Sequence, residues 1–323
     1  MVINHNINAV NALRHMSINT SKMAKAAKRL SSGLAINSAS DNPSGLVVSE
    51  KMKSRIIGLE QASRNAQDDV SAIQVADGAL EVTTSILQRM KQLATEAANG
   101  TLKDQDRKNI QCEINQLTSE INDIGDNTEF NTIKLLSFDG KKYNQINPHP
   151  VIQAGADLGQ CDVIKVEDMK AKALNISGQS GGSVTSKDGK VTAKFVESNP
   201  NDKDNVVTDG NDNKAVEYAL DMTDPKNASA AIKIYSDAIG KVSCFRVGLG
   251  ALQNVLQCRI DCLGDTASNI SASESKIEDA DMAKEMINYS RYNILSQASQ
   301  AMLVQANRNS SERMSQLLKS FIM

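Results

Sequence analysis

The sequence is poor in aromatic residues, which make up 3% of its 323 residues, and tryptophan is absent. Large aromatic side chains supply much of the buried area in compact cores and ligand pockets. Burial in this chain must therefore come from leucine, isoleucine, valine, methionine and alanine, which suit narrow seams between helices. The composition argues against an enzyme with a deep, aromatic-lined substrate pocket.

Long hydrophobic runs are also missing. No stretch approaches the roughly 18 apolar residues that a membrane-spanning helix needs, so membrane insertion is not expected. The segment Met1–Asn6 does not place a basic stretch before an apolar one. A cleaved secretory signal is therefore not expected either.

Neither sign of charge dominates. The chain has 36 Lys and Arg residues against 38 Asp and Glu residues, for a formal net charge of −2. A nucleic-acid-binding surface would require a basic patch, commonly with interleaved aromatic residues. The sequence contains no such patch, so nucleic acid is not expected as a partner.

Cysteine and histidine are few and scattered. Cys258 and Cys262 stand four residues apart in a helical stretch and, with two more donors on the same face, could hold a metal. No CxxC pair occurs, and every histidine lies far away in sequence. We therefore expect buried, apolar thiols and predict no metal and no cofactor. The other residues concerned are Cys112, Cys161, Cys244, His5, His15 and His149.

Motifs that carry catalysis are lacking as well. There is no HExxH, which would direct two histidines to one zinc ion, and no GxGxxG or GxxxxGK phosphate loop. We therefore expect a chain that is not an enzyme and has no catalytic residues.

What the sequence does contain is hydrophobic periodicity. One apolar stripe with alternating spacings of three and four predicts a helix with a narrow, coiled-coil-like seam. With its upstream continuation the helix would span about 35–40 residues and end at Asn99-Gly100. The stripe consists of Leu59, Ala62, Ala66, Ile73, Ala76, Leu80, Thr83, Leu87, Met90, Ala94 and Ala97.

Two further helices complete a predicted bundle. Thr101 and Asp104 resemble a capping pair for the second helix, and Gly125 marks its expected end. The short connection predicts antiparallel packing on the first helix. The third helix lies late in the chain, from Leu249 to Ile277. The predicted seam comprises Ile73, Leu80, Leu87, Met90, Ile110, Ile114, Leu117, Ile121, Leu252, Leu256 and Leu263.

The two ends of the chain carry narrower apolar stripes. Ile3, Ile7 and Val10 begin one stripe, and Ile287 and Ile294 belong to the other, with flanks rich in Asn, Ser and Gln. A pair of such helices would bury too little area to offset the entropy of ordering them. We therefore expect both ends to become ordered only when they fold against other chains.

The centre has a different character. Short apolar runs within residues 131–177 predict hairpins beside the bundle. Residues 178–228 are polar and glycine-containing and predict a small β-rich insert exposed at the surface. The predicted fold class is mainly α: an elongated, coiled-coil-like helical bundle with discontinuous N- and C-terminal halves, β-hairpins and a small β-rich central insert.

Several segments resemble bacterial flagellins. They occur in the family's order at both ends, cover about residues 1–177 and 240–318, and are specific through their joint occurrence. The matching segments are Leu30–Asp41 (LSSGLAINSASD), Gln61–Ala66 (QASRNA), Thr128–Asn131 (TEFN), Ile152–Ala156 (IQAGA), Leu249–Asn254 (LGALQN), Ser275–Ala283 (SKIEDADMA), Asn293–Ala298 (NILSQA) and Leu303–Asn307 (LVQAN).

This resemblance implies a secreted, extracellular subunit of the bacterial flagellum that polymerises for swimming motility. Residues 1–42 and 280–323 would form an inner tube, 43–177 and 229–279 the helical bundle outside it, and 178–228 the variable surface-exposed insert. The implied assembly residues are Ile3, Ile7, Val10, Leu30, Leu34, Asn37, Asp41, Ile287, Ile294, Ala298, Ala301, Leu317 and Leu318.

The resemblance also implies partners. These are further copies of the chain in a helical homopolymer, a flagellar export chaperone, the type III export apparatus, and the filament cap and hook–filament junction proteins. Some relatives also engage Toll-like receptor 5, and the matching positions are Gln88, Arg89, Leu93 and Glu113. Subunit packing alone would account for the same four residues.

Some positions depart from the family's pattern. Ala35 stands where an Arg is common, and Asn42-Pro43 replaces a small acidic–Ala step. Proline lacks an N–H and disfavours helix at the residue before it, so Pro43 is expected to mark a helix break. A hook–filament junction protein of the same superfamily is the alternative interpretation of the whole chain.

Overall fold

The computed structural model describes residues 6–137, 151–163, 167–187, 189, 191–197, 207–208 and 215–322, without the side chains of 152, 208, 215–216 and 317–322. Five α-helices account for most of these residues. They are α1 (Ile7–Ser32), α2 (Pro43–Ala97), α3 (Asp104–Asn127), α4 (Pro225–Glu278) and α5 (Met282–Ile322).

Local sequence signals set the limits of the first helices. The Asn6 side chain accepts a hydrogen bond from the Ala9 N–H at 3.1 Å and caps α1. Gly33 ends α1 with φ 74°, a left-handed conformation that glycine adopts without a steric penalty. Pro43 is the first residue of α2, and the Asn42 Oδ1 accepts from the Gly45 N–H at 3.1 Å. The predicted break at Pro43 is confirmed.

Three helix limits differ from the predictions. α2 has 55 residues because it begins at Pro43 and not near Leu59. The predicted capping pair is wrong: Asp106 Oδ2, and not Asp104, accepts the N–H of Lys103 before α3, at 3.3 Å. Gly125 lies inside α3, where a side chain on it would stand 3.1 Å from Lys170 Cγ. That glycine permits close approach of a neighbour and does not end the helix.

The connection between α2 and α3 is held by a buried arginine. Arg107, 6% exposed, donates from Nε to the Ala97 oxygen at 3.1 Å and from an NH2 group to the Asn99 oxygen at 2.9 Å. The last carbonyls of a helix have no partner within that helix, and a cation there also meets the negative end of the helix dipole. Arg107 therefore stabilises both the end of α2 and the turn that follows.

The strands form four small antiparallel groups. The pairs are β1–β2, β3–β4 and β6–β7, and β9 lies between β5 and β8. Hairpins were predicted for part of this region and are present. The strands are β1 (Glu129–Phe130), β2 (Ile133–Lys134), β3 (Val151–Gln153), β4 (Cys161–Val163), β5 (Ser177–Gly178), β6 (Ser183–Thr185), β7 (Thr192–Lys194), β8 (Val207–Thr208) and β9 (Ala215–Ala219).

The chain divides into two compact units, 1–57 with 266–323, and 58–265. The second unit contains antiparallel neighbours of α2: Arg89 on α2 meets Glu113 on α3 at 2.8 Å, and Arg246 on α4 meets Asp77 on α2 at 2.7 Å. The antiparallel arrangement of the first two bundle helices is confirmed.

The core of the second unit contains the predicted seam. Leu117 and Leu252 are half-buried and the other seam positions are buried. The buried members are Ile73, Leu80, Leu87, Met90, Ile110, Ile114, Ile121, Leu256 and Leu263.

Residues from the predicted insert extend this core. Ala193 is fully buried, and so are Leu220 and Met222. The Gln111 side chain on α3 donates to the Leu220 oxygen at 3.1 Å and accepts from the Met222 N–H at 2.7 Å. The expectation that residues 178–228 are exposed at the surface is therefore wrong for these three positions, because they pack into the core.

Tyr235 on α4 is a buried polar group without a partner. Its side chain is fully buried, and within the described residues its hydroxyl makes no hydrogen bond. Burial raises the pKa of the Tyr235 hydroxyl, so the group stays neutral. An unsatisfied hydroxyl in an apolar core opposes folding.

Asp69 on α2 is a second polar side chain that lacks a hydrogen-bond partner. It borders a 300 Å³ cavity lined by parts of β2 and β3, and its Oδ2 has no partner in the described part of the chain. Burial raises the pKa of the Asp69 carboxyl to about 6, and the negative charges of Asp68 and Asp162 act in the same direction.

Replacing Tyr235 by Phe should increase stability. The change removes the unsatisfied hydroxyl and retains the ring, so the free energy of unfolding should rise by about 1 kcal/mol or more. Urea unfolding followed by circular dichroism measures this. Tyr218→Phe, at a partly exposed position, is the control and should change stability by less than about 0.5 kcal/mol. A loss of stability in Tyr235→Phe would contradict the assignment.

Replacing Asp69 by Asn should increase the free energy of unfolding by an amount that depends on pH. An acid whose pKa is raised in the folded state favours folding when protonated, so the wild-type free energy of unfolding falls as pH rises from near 4 to about 6. The variant has no ionisable group at this position, so its free energy of unfolding does not fall in this way. The free energy of unfolding of the variant should equal that of the wild type near pH 4 and exceed it by about 1 kcal/mol at pH 7.5. This value allows for solvent screening, because the Asp69 side chain is only half-buried. Equal stabilities at both pH values would refute the prediction.

Candidate assembly surfaces

The terminal helices α1 and α5 pack against each other in antiparallel orientation. The Asn6 side-chain amide donates to the Ala306 oxygen at 3.1 Å, and at the other end of α1 the Arg29 guanidinium meets Glu285 at 3.2 Å. These polar contacts fix the register of the pair, because they join the two ends of α1 to well-separated positions on α5.

The pair buries very little. Among the described side chains of these helices, Ala26 on α1 and Ser296 on α5 are the buried ones. Neither contributes much apolar area, and a fully buried large aliphatic side chain stabilises a fold by roughly 1.5–3 kcal/mol. The contacts between α1 and α5 therefore supply only a small part of what two long helices need in order to stay folded in water.

The predicted apolar stripes face away from this contact. Ile7 and Val10 on α1 are 64% and 61% exposed, and Ile287 and Ile294 on α5 are 68% and 65% exposed. Met302 on α5, which was not among the predicted assembly residues, is also 65% exposed. In the single chain these side chains form an unpartnered apolar surface on both helices.

The other predicted assembly residues have different environments. Ala298 and Ala301 are exposed, and Leu30 and Leu34 are half-buried. Ile3 lies outside the described residues. Leu317 and Leu318 belong to α5, and their side chains lie outside the described part of the chain.

Asn37 and Asp41 order the turn that follows α1. The Asn37 side chain donates to the Leu34 oxygen at 2.9 Å, and Asp41 Oδ2 accepts from the Ser38 hydroxyl at 3.0 Å. The Ser38 hydrogen bond is the main reason why the pKa of Asp41 lies below its ordinary value. These two polar residues therefore hold a local loop and are not part of an apolar contact face.

The link between α4 and α5 is attached to that loop. The Ala35 N–H donates to the Glu278 oxygen at 2.6 Å, and the Ala280 N–H donates to the Gly33 oxygen at 2.8 Å. These two bonds join the exit of α1 to the chain segment that precedes α5. Segments almost 250 residues apart in sequence thereby form one small antiparallel bridge, Leu34 opposite Asp279.

An ion pair between a partly exposed lysine and a buried carboxylate supports this bridge. Lys53 Nζ on α2 lies 2.5 Å from a carboxylate oxygen of Glu278, whose side chain is 4% exposed, and 3.8 Å from Glu274. The hydrogen bond from Lys53 lowers the pKa of Glu278, and the same bond raises the pKa of Lys53. Removing one partner of such a pair leaves an uncompensated charge. The pair could not be predicted from the sequence, because its members are remote in the chain and share no motif.

The candidate receptor-binding residues do not share one environment. Gln88 and Arg89 are exposed, and Arg89 forms its 2.8 Å ion pair with the partly exposed Glu113. Leu93 is 2% exposed and belongs to the core of the second unit. Three of the four positions can therefore meet another protein, whereas Leu93 packs within its own chain.

The cysteine side chains are more exposed than predicted. Cys112 is half-buried and the other four are exposed, so the expectation of buried thiols is wrong. The apolar seam is filled by aliphatic residues, which leaves the thiols on the outward faces. All five are free, and the described residues contain no group of three or more metal-ligating side chains. Within the same residues, no helix is long and apolar enough to cross a membrane.

Comparison with known proteins matches both ends of the chain. The family model for the bacterial flagellin N-terminal helical region matches residues 3–141, and that for the C-terminal helical region matches residues 232–318. Together the two matches leave the central segment of the chain uncovered.

Relatives match almost the whole chain. Flagellin from Bacillus subtilis is 44% identical over 95% of this chain and 97% of its own length. The flagellar filament 33 kDa core protein of Treponema phagedenis is 36% identical over 95% of this chain and 96% of its own. Among solved structures, Bacillus cereus flagellin is 25% identical, with a TM-score of 0.44, over 65% of this chain and 94% of that one. The family matches and the two sequence relatives show that the chain belongs to the bacterial flagellin family.

Proposed function

We propose that this flagellin is a structural, non-catalytic subunit that polymerises into the bacterial flagellar filament, and that α1 and α5 make the innermost contacts of the polymer. The observation that carries the proposal is the exposed apolar surface of these two helices. Ile7 and Ile294 lie on faces that the single chain leaves in water. In a polymer, neighbouring copies bury those faces and supply the stabilisation that the pair lacks.

The proposed division of the chain follows from the same observation. Residues 1–42 and 280–323 form an inner tube, because they require partners. Residues 43–177 and 229–279 form the layer outside it and have a core of their own. Of residues 178–228, Ala193, Leu220 and Met222 belong to that core, and the exposed remainder of the range faces outward.

The proposed partners follow from the assembly of the filament. The terminal apolar faces would be covered during export by a flagellar chaperone and delivered through the type III export apparatus to the outside of the cell. Cap and hook–filament junction proteins would meet the first and last copies. An amphipathic helix such as α5 suits a chaperone groove, because its apolar face is otherwise unprotected.

Recognition by Toll-like receptor 5 is a second proposed role. It rests on Gln88, Arg89 and Glu113, which are at least partly accessible. The Arg89–Glu113 pair offers one charge of each sign at the surface. Leu93 supports the shape of this site from within the core and does not contact the receptor in this proposal.

Replacing Ile287 and Ile294 by Ser should block polymerisation and leave the subunit folded. Both side chains are exposed in the single chain, so circular dichroism and the unfolding midpoint should stay close to those of the wild type. Elongation of filament seeds should require about tenfold more monomer or more, because two apolar contacts between copies are lost. Sedimentation of seeded mixtures measures the monomer concentration left at equilibrium.

The matched control is Gln300→Ser, an exposed polar position on the same helix. It should elongate seeds like the wild type. Normal elongation by the double variant would contradict the role of the stripe. Failure of the wild type to elongate seeds would contradict the filament role itself and favour a junction protein.

Removing residues 1–42 or 280–323 should separate folding from assembly. The second unit has its own core, so each truncated chain should remain helical and unfold cooperatively. Neither should elongate seeds at any concentration that supports the wild type. Circular dichroism and sedimentation check both halves of this prediction, and filaments built by a truncated chain would refute it.

A further inference from the structure

The sequence contains one Asn-Gly dipeptide, Asn99-Gly100, and it lies in the short connection between two bundle helices. α2 ends at Ala97 and α3 begins at Asp104, and both residues of the dipeptide are exposed. An asparagine side-chain amide is open to attack by the backbone nitrogen of the next residue. Glycine hinders this attack least, because it has no side chain. The dipeptide therefore marks a place where the chain can modify itself.

The local structure leaves both reacting groups accessible. In the described part of the chain, the Gly100 N–H makes no hydrogen bond. The Asn99 side-chain oxygen accepts from the Thr101 N–H over 3.4 Å, which turns that side chain toward the backbone that follows it. No described atom beyond the neighbouring residues lies within 4 Å of the place where a side chain on Gly100 would begin. In a helix interior, by contrast, the N–H is held by the carbonyl four residues earlier.

The peptide group between Asn99 and Gly100 is bound by a cation. An NH2 group of the buried Arg107 donates to the Asn99 backbone oxygen at 2.9 Å. The other terminal nitrogen of Arg107 lies 3.7 Å from the exposed Asp104 carboxylate, which does not compete for this bond. Because a donor to the carbonyl oxygen withdraws electron density from the whole peptide group, it eases loss of the proton from the Gly100 nitrogen. Arg107 therefore favours the form of the nitrogen that attacks.

We propose that Asn99 is a site of deamidation and that Arg107 directs the product to isoaspartate. In the first step the Gly100 nitrogen forms a bond to the side-chain carbonyl carbon of Asn99. The bond from that carbon to the side-chain nitrogen breaks, and ammonia leaves with the proton of the Gly100 N–H. The result is a cyclic imide whose two carbonyls are the former side-chain and backbone carbonyls of Asn99.

Water then opens the imide at one of these two carbonyls. Attack at the former backbone carbonyl breaks its bond to the Gly100 nitrogen, which regains a proton. That carbonyl becomes a carboxylate, the chain continues through the former side chain, and the product is isoaspartate. Attack at the other carbonyl gives aspartate. In total one water is consumed and one ammonium ion is released.

The position of Arg107 selects between the two products. Its NH2 group donates to the oxygen of the former backbone carbonyl, so it stabilises the negative charge that develops there during attack by water. The new carboxylate then accepts a charge-assisted hydrogen bond from the same guanidinium. A negative charge next to the last turn of α2 is otherwise opposed by the helix dipole. Arg107 therefore favours isoaspartate and offsets its charge.

The first test follows the unaltered full chain in warm, slightly alkaline buffer. Digestion and mass spectrometry with electron-transfer fragmentation distinguish isoaspartate from aspartate, and an untreated sample sets the background. Asn99 should be converted before any other asparagine. The ratio of isoaspartate to aspartate should exceed that of an unstructured peptide of residues 96–103 by about fivefold, because a cation binds one carbonyl only in the folded chain. Asn37, whose side-chain amide is held by the Leu34 oxygen at 2.9 Å, should stay intact.

The second test uses variants of the same connection. Gly100→Ala introduces a side chain where there is open space, so the chain should fold normally and Asn99 should stay unmodified. Gly264→Ala, at an equally open position on α4, is the matched control and should convert Asn99 like the wild type. Arg107→Lys retains the positive charge but not the planar group that reaches two carbonyls. Its ratio of isoaspartate to aspartate should fall toward that of the peptide.

The outcomes separate the site from the role of Arg107. Early conversion of Asn99 with an excess of isoaspartate, lost in Gly100→Ala, supports the proposal. Earlier conversion of another asparagine, or unchanged conversion in Gly100→Ala, would overturn the site. Equal product ratios in the folded chain and the peptide would overturn the role of Arg107. Since all reacting groups belong to one chain, the inference is independent of the proposed polymerisation, and monomer that never elongates seeds would leave this measurement unchanged.

Discussion

The burial of narrow aliphatic seams is the constraint on which the rest of this structure depends. With almost no aromatic residues, each helix can hide only a thin stripe, and a thin stripe needs a neighbour on each side that carries one. Unit 58–265 meets this condition within one chain: Leu80, Leu87 and Met90 on α2 are fully buried. The pair of α1 and α5 does not, because its aliphatic residues largely face water. In the proposed assembly, folding is therefore complete in one unit and depends on neighbouring copies in the other.

Polar contacts set the geometry where the seams are too thin to do so. Arg107 closes the end of α2 with two hydrogen bonds, and Gln111 holds the chain after β9 onto α3. Lys53 neutralises the buried carboxylate of Glu278 beside the bridge between the terminal segments. A seam of equivalent methyl groups can slip by a turn, whereas a buried polar group that loses its partner destabilises the alternative register. These residues therefore specify the alignment that the apolar stripe leaves undetermined.

The sequence predicted the helices whose apolar residues recur at a regular spacing. It did not predict contacts between residues that are distant in the chain. The α2 stripe from Ile73 to Ala97 was found because every third or fourth residue is apolar, and Pro43 was found because proline restricts the residue before it. The Lys53–Glu278 pair had no such signal, since neither residue belongs to a repeat. The cysteines were misassigned because a general tendency of thiols to be buried was applied to a seam already filled by aliphatic side chains. The packing of Leu220 and Met222 onto Gln111 was missed because polar residues around them indicated a surface module.

The distribution of exposed apolar groups also resolves a conflict between solubility and assembly. A monomer that showed one broad apolar patch would aggregate without order, since large patches associate non-specifically. Here the exposed apolar groups are most numerous along thin stripes on α1 and α5, and single ones such as Ile57 on α2 and Val247 on α4 lie apart from them. Each group alone contributes too little to hold a wrong neighbour. Only an arrangement of copies that buries all of these groups together gains the full free energy of their burial. The thin stripes therefore favour the correct polymer over disordered aggregates.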